Sequence, residues 1–197
     1  MGLGVEDVAE ALRQGGGRAI SVVGSARNVG TTLTAIALAR VLARRGRVVL
    51  VDLAFGSPNV QMISDAPNAP GIADLVNGTA SFGDIITKDR GSRLHLVAAG
   101  QIGGDPNALF TAPTLATAVL ALAQSYDALV IDAGSQAETP LSAIAAMTPH
   151  VALVGGETPL DTLVALAADL LASGFADVAV LTEAPPPLDH AVLSTAA

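Results

Sequence analysis

The sequence predicts a single doubly wound α/β domain, a mostly parallel sheet with helices on both faces. Three observations carry that expectation. Short apolar runs rich in Val, Ile and Leu alternate with helix-like runs along most of the chain, and continuously apolar strands belong to a sheet covered on both faces. A glycine-containing turn, "GSARNVG" at 24–30, joins the first such strand to the first long helix, as a phosphate-binding loop does. Two aspartates, Asp52 and Asp132, close two further apolar runs, at the strand ends where ligands gather in sheets of this type.

The elements follow in order. "VEDVAEALRQ" reads as a short leading helix broken by "GGG" at 15–17. Its Val5, Val8, Ala9 and Leu12 stand at helical spacing, which suits either docking to a partner or packing on the chain's own core. "RAISVVG" is a buried strand, "TTLTAIALARVLARRG" a helix ended by Gly46, and "RVVLVDLAFGSP" a second strand with Asp52 at its tip. "GIADLVNG" and "SFGDIITK" suggest two short helical pieces. "LHLVAAG", "DALVIDAGS", "HVALVGGE" and "ADVAVLTEA" read as strands, separated by the helices "TLATAVLALAQSY", "PLSAIAAM" and "LDTLVALAADLLASG". The expected organisation is a leading helix and linker at 1–17, an NTPase-like domain at 18–183 and a proline-led tail at 184–197.

Composition narrows the chemistry. The chain has 197 residues, 51% of them apolar but only 3% aromatic, so small and branched aliphatics must fill the core. It has no cysteine, which excludes thiolate catalysis and disulfides. No apolar stretch reaches about 18 residues, the length that spans a bilayer, and the N-terminus is not a secretion signal. Glu6 stands where a myristoylation signal wants Ser or Thr. A cytoplasmic protein without direct membrane insertion is expected. The net charge is −8, and no Lys or Arg follows Arg93, against ten acidic residues from Leu94 onward. That half does not suit nucleic acid or anionic lipid.

The loop at 24–32 departs from the full P-loop, G-x-x-x-x-G-K-[ST], in its charge. With Gly30 as the second glycine, Thr31 takes the lysine position, Thr32 the Mg²⁺-binding hydroxyl position and Ser25 the first-glycine position. Asn28 tolerates the left-handed backbone that such a loop needs. Backbone N–H groups from Asn28, Val29, Gly30, Thr31 and Thr32 would still cradle phosphate at a helix N-terminus, so ATP or ADP with Mg²⁺ is expected to bind weakly if at all. Arg27 is the nearest cation in sequence, and Lys88 is the single lysine. Asp52 and Asp132 suit Mg²⁺ or its water beside such a loop. Each alone also suits a cap or turn.

These residues resemble a known family. "VGTTLTA", "RVVLVDLAFGSP" and "YDALVIDAGS" are similar to the deviant Walker ATPases of the Min and Par type. Within them, "GIADLVNGTASFGDIIT" and "LHLVAAGQIGGDPNALFTAP" resemble the cytoplasmic domain of bacterial tyrosine kinases that partner polysaccharide co-polymerases. The resemblance covers about residues 18–183. It implies an ATP-binding loop at 24–32, Mg²⁺-linked aspartates at Asp52 and Asp132, and assembly with a co-polymerase's cytoplasmic region or with copies of itself.

The departures from that family point elsewhere. Thr31 replaces the loop lysine, Ala26 the second lysine of Min and Par relatives, Ala54 a second aspartate and Gly56 a nearby arginine. The adenine-facing asparagine is absent from "AVLTEA", and the only tyrosine is Tyr126 rather than a tyrosine-rich tail. Of an E-x-x-R-x-x-R assembly motif, Glu10 and Arg13 remain. The reading that fits these losses is a non-catalytic relative acting in surface polysaccharide synthesis or export, with Asp52 and Asp132 vestigial. A weakly active ATPase or kinase, pilus-assembly relatives included, is the alternative. A dinucleotide oxidoreductase fits less well, because no tyrosine–lysine pair follows at catalytic spacing.

Overall fold

A computed structural model describes residues 3–183. The expected tail at 184–197, and Gly2 with its myristoylation argument, lie outside the described residues. The helices are α1 (Val5–Gln14), α2 (Thr31–Ala43), α3 (Ile72–Val76), α4 (Phe82–Ile85), α5 (Pro106–Thr111), α6 (Pro113–Ser125), α7 (Leu141–Ala145) and α8 (Leu160–Ala172). The strands are β1 (Ala19–Gly24), β2 (Val48–Asp52), β3 (Ile86–Lys88), β4 (His95–Val97), β5 (Ala128–Ser135), β6 (His150–Val154) and β7 (Asp177–Leu181). A 3₁₀ turn spans Val60–Ile63.

The seven strands form one sheet in the order β3-β4-β2-β5-β1-β6-β7. Every pairing is parallel except β3 with β4, so the expected mostly parallel α/β sheet is found. Helices α1 and α2 and the 3₁₀ turn cover one face. Residues of α3 and α5–α8, with Ile85 at the end of α4, pack on the other. β1, β2 and most of β5 are buried throughout, which is why their sequences are continuously apolar rather than alternating.

One local reading changes and two open points close. "SFGDIITK" is helical only to Ile85; Ile86–Lys88 is an antiparallel edge strand. Its branched residues suit a strand, and Thr87 is held from inside by the Ser64 hydroxyl at 2.8 Å. "GGDPNALF" carries its own helix, because Asp105 caps it by accepting from Asn107 N at 2.9 Å and Pro106 opens its first turn. The α1 stripe packs inward: Val5, Val8, Ala9 and Leu12 are all buried in the core that holds α2. Helix α2 packs on both the sheet and α1, and ten of its 13 residues are buried.

Among the described residues, no helix is long and apolar enough to cross a membrane.

Candidate functional site

The candidate site lies at the carboxyl edge of the central strands, where β1 turns through 25–30 into α2. Asn28 and Gly30 hold left-handed backbones, at φ 61° and 87°. The second of these starts α2 as its N-cap, and the first takes the left-handed backbone expected of Asn28. Ser25 anchors the start of the loop: its hydroxyl donates to Gly155 O at 3.0 Å and meets Thr158 Oγ1 at 2.8 Å. Val29 packs against Gly156, where an added Cβ would lie 3.0 Å from the valine's own. Val29 is thus an anchor to the β6 end, and only its backbone remains for a ligand.

Beyond the loop is an open cleft of about 530 Å³, lined by Asn28, Gly30, Thr31, Thr32, Gly134 and Glu138 among others. Thr31 contributes little to it. A Cβ on Gly24 would stand 2.2 Å from Thr31 Oγ1, so the threonine hydroxyl is folded beneath the loop, and the residue is 9% exposed.

Among the described residues, no cation replaces the lysine. Lys88 ends β3 opposite His95, the first residue of β4, so it stands at the amino edge of the sheet, away from the loop. Arg27 lines the cleft but is ion-paired with Glu138. Glu138 was not singled out from the sequence. The signal available was its place just after "LVIDAGS", at a strand's carboxyl end.

Asp52 and Asp132 do come together. They are register partners across β2 and β5, and neither is exposed. Their roles differ. Both oxygens of Asp52 are engaged with its own loop: Oδ1 accepts from Ala54 N at 3.0 Å, and Oδ2 from Asn59 N and Val60 N at 3.1 Å each. Burial and the neighbouring Asp132 nonetheless push its carboxyl up to about 7, against the downward pull of those amides.

Asp132 is the freer group. Oδ1 accepts from Gly134 N at 3.1 Å, while Oδ2 is buried without a partner. Burial raises its pKa too, and the nearby Thr32 hydroxyl opposes that shift without being placed to satisfy Oδ2.

An orphaned buried carboxylate oxygen beside a Thr hydroxyl and a helix N-terminus fits a hydrated Mg²⁺ with phosphate. Thr32 and Asp132 are the side chains that would hold it, and Asp52 would act through the pair. Among the described residues, no three of His, Cys, Asp and Glu form a metal cage. An ion here would depend on the nucleotide's own oxygens.

The sheet, the loop and its helix define a P-loop NTPase-like fold whose loop carries Thr31 in place of a lysine. In sequence, the chain is similar to proteins named tyrosine-protein kinase: CapB of Staphylococcus aureus, 27% identical over 104 residues, and EpsB of Ralstonia solanacearum, 24% identical over 123. Those matches take in 52% and 62% of this chain, but 46% and 16% of the relatives, so the chain matches less than half of either relative's length. In structure, it is similar to the VpsO kinase domain, with a TM-score of 0.77 at 20% identity over 90% of both chains. The kinase domain of Escherichia coli ETK gives 0.74 at 14% identity, over 89% of this chain and 71% of that one. The Mg-ADP complex of the septum site-determining protein MinD from Pyrococcus horikoshii gives 0.62 at 20%, over 90% and 77%. No family model matches the chain.

Proposed function

We propose that this protein is a degenerate relative of the bacterial tyrosine kinases. In this reading it acts as a partner or regulator in the synthesis and export of a surface polysaccharide such as an exopolysaccharide, capsule or holdfast. One observation carries the reading: among the described residues, the cleft has no positive charge without an acidic partner. Thr31 is turned under the loop, Arg27 is held by Glu138, and Lys88 lies at the other edge of the sheet. Phosphoryl transfer rests on electrostatic stabilisation, and removing one such group typically costs about 10²–10³ in rate. Here the cleft is also lined by a carboxylate, Glu138, with Asp132 buried behind it.

The partner in this reading is the cytoplasmic region of a membrane co-polymerase, or a second copy of the chain. The test is calorimetry with ATP and Mg²⁺, followed by an ATPase assay and co-purification with a candidate co-polymerase region. Micromolar binding with steady turnover would refute the non-catalytic reading. Loss of co-purification under matched expression would remove the co-polymerase.

A second reading, a weak ATP-binding ATPase or kinase, is favoured by the unpartnered Oδ2 of Asp132. Bound Mg²⁺ would neutralise phosphate charge. The chain itself would contribute the loop amides at the start of α2, the Thr32 hydroxyl and the Asp132 carboxylate. An arginine from a partner subunit would then have to replace the missing lysine.

A further inference from the structure

Much of the positive charge of this acidic chain is gathered at the edge of the sheet opposite the loop. Arg18, Arg47 and Arg93 stand just before β1, β2 and β4, and Lys88 ends the antiparallel β3 against His95. Parallel strands put their leading residues at one edge, so residues distant in sequence converge there. Between the end of α2 and the starts of β2, β4 and β5 lies a concave pocket of about 270 Å³. It is lined by Arg45, Arg47, Arg93, His95, Tyr126 and Asp127, with Gly46 and Val48.

The pocket is built as well as charged. Arg93 Nη2 donates to Ala43 O at 2.9 Å and Arg44 O at 3.0 Å, fixing that guanidinium over the last carbonyls of α2. Asp127 Oδ2 accepts from Arg47 N at 2.8 Å and holds the turn, while its contact to the Arg47 side chain is a loose 3.9 Å. Tyr126 Oη and His95 Nδ1 are hydrogen-bonded at 2.7 Å on one wall. Arg45 and Arg47 are exposed. Capping the α2 carboxyl end explains Arg93 alone; it leaves the Arg45 and Arg47 guanidiniums directed to no backbone carbonyl.

We propose that this pocket is an oxyanion site that takes a phosphate group, with Arg45 and Arg47 supplying the binding charge and Arg93 the fixed donor. Guanidinium groups suit phosphate because their N–H donors lie in a planar fork. One carboxylate, Asp127, lies among three arginines, so the local charge favours an anion. The site is independent of the nucleotide loop and of the functional reading above.

The phosphate group could be carried by a small soluble molecule or by a lipid headgroup, and the test separates these sources. Full-length protein is titrated with inorganic phosphate and followed by amide NMR. It is also floated with phosphatidylcholine vesicles, with and without phosphatidic acid. The expected result is a saturating shift at Gly46 and Arg47, weakened about tenfold or more in Arg45→Ala/Arg47→Ala and unchanged in Thr32→Ala. The Arg45→Lys/Arg47→Lys variant, which keeps the charge, should retain part of the affinity and serves as the folding control. Flotation with phosphatidic acid alone, lost in the alanine variant, assigns the headgroup; phosphate binding without flotation assigns a soluble ligand. Shifts confined to Gly30 and Thr31, an alanine variant that binds as well as wild type, or neither binding nor flotation overturns the proposal.

Discussion

Asp52 and Asp132 lie opposite one another in the β2–β5 ladder, both without exposed surface, and Asp52 spends both oxygens on its own loop while Asp132 leaves one unpartnered.

That pair sets a pH dependence. Asp52 is raised from its usual 3.8 to about 7, by burial first and by Asp132 second. Between those values the folded chain keeps a proton that the unfolded chain has released, so the pair's contribution declines as pH rises and is lost above the folded value. Asp132→Asn keeps an acceptor for Gly134 N and removes the like charge. It should raise stability at about pH 8 by on the order of 1–3 kcal/mol, with a smaller effect at about pH 5. Thermal melts of both proteins across that range check it; an equal gain at both ends would mean the charge is not the cause.

The Arg40–Asp89 pair works in the other direction. Burial raises Asp89, but the Arg40 and Ser92 side chains and Gly91 N outweigh it and hold the carboxyl low. Its contribution is present above the ordinary carboxylate range and is lost as pH falls. Arg40 donates from Nε and Nη2 to the two carboxylate oxygens at 2.8 and 2.9 Å. Arg40→Met should cost about 3 kcal/mol at neutral pH, the lower end for a buried pair, because the Arg40 side chain stays 20% exposed. Denaturant unfolding at neutral and acid pH should show the penalty shrinking in acid.

Nucleotide affinity should respond to charge at two places. Thr31→Lys places a cation at the start of α2, and Glu138→Gln releases Arg27 from its ion pair. Each should tighten ATP binding about tenfold, the scale of one charge-assisted hydrogen bond. Calorimetric dissociation constants decide the matter. Unchanged affinity in well-folded variants would place the phosphates elsewhere.

Tyr126 is the single tyrosine, and it sits just before β5, at the edge opposite the cleft. The chain cannot bring its own Tyr126 into its own cleft without unfolding. Incubation with labelled ATP should leave no concentration-independent phosphotyrosine, and label appearing at high dilution would contradict this geometry.

Removal of α1 should unfold the domain. Val5, Val8, Ala9 and Leu12 are buried against the core that contains α2, and Leu12→Ala alone should cost about 2–4 kcal/mol. A circular dichroism melt of a deletion of residues 1–14 tests the stronger form; an unshifted transition would show that α1 is dispensable.

Much of the fold was legible because its strands are buried on both faces: "VVLVD" and "ALVID" have one reading as β-structure beside long helices. Ile86–Lys88 was not legible, since a three-residue edge strand has no periodicity of its own and depends on β4 for its partner. The same limit applied to the α1 stripe, where helical spacing reveals an apolar face but not what covers it. At the site, the left-handed turn at Asn28 and Gly30, leading into a helix, could be read from the sequence. The Arg27–Glu138 pairing and the Asp52 bonds to residues 54, 59 and 60 could not, because they depend on how loops from different strands meet.

The segment from Gly71 to Gly100 bears on what kinship in this fold can reveal. A Cβ on Gly71 would come within 2.2 Å of Ala98 O, and one on Gly100 within 2.2 Å of Asp74 Oδ2. The Asp74 carboxylate ties Gly71 N and Gln101 N together at 2.7 and 3.1 Å. These are residues that the crossing of two backbones demands, whatever happens at the phosphate loop. A chain that had given up its chemistry would have to keep them, and so would one that had not. Likeness in this stretch is therefore a poor witness to activity, and a diagnostic for live enzymes among such proteins should be built on positions 27, 31 and 138 instead.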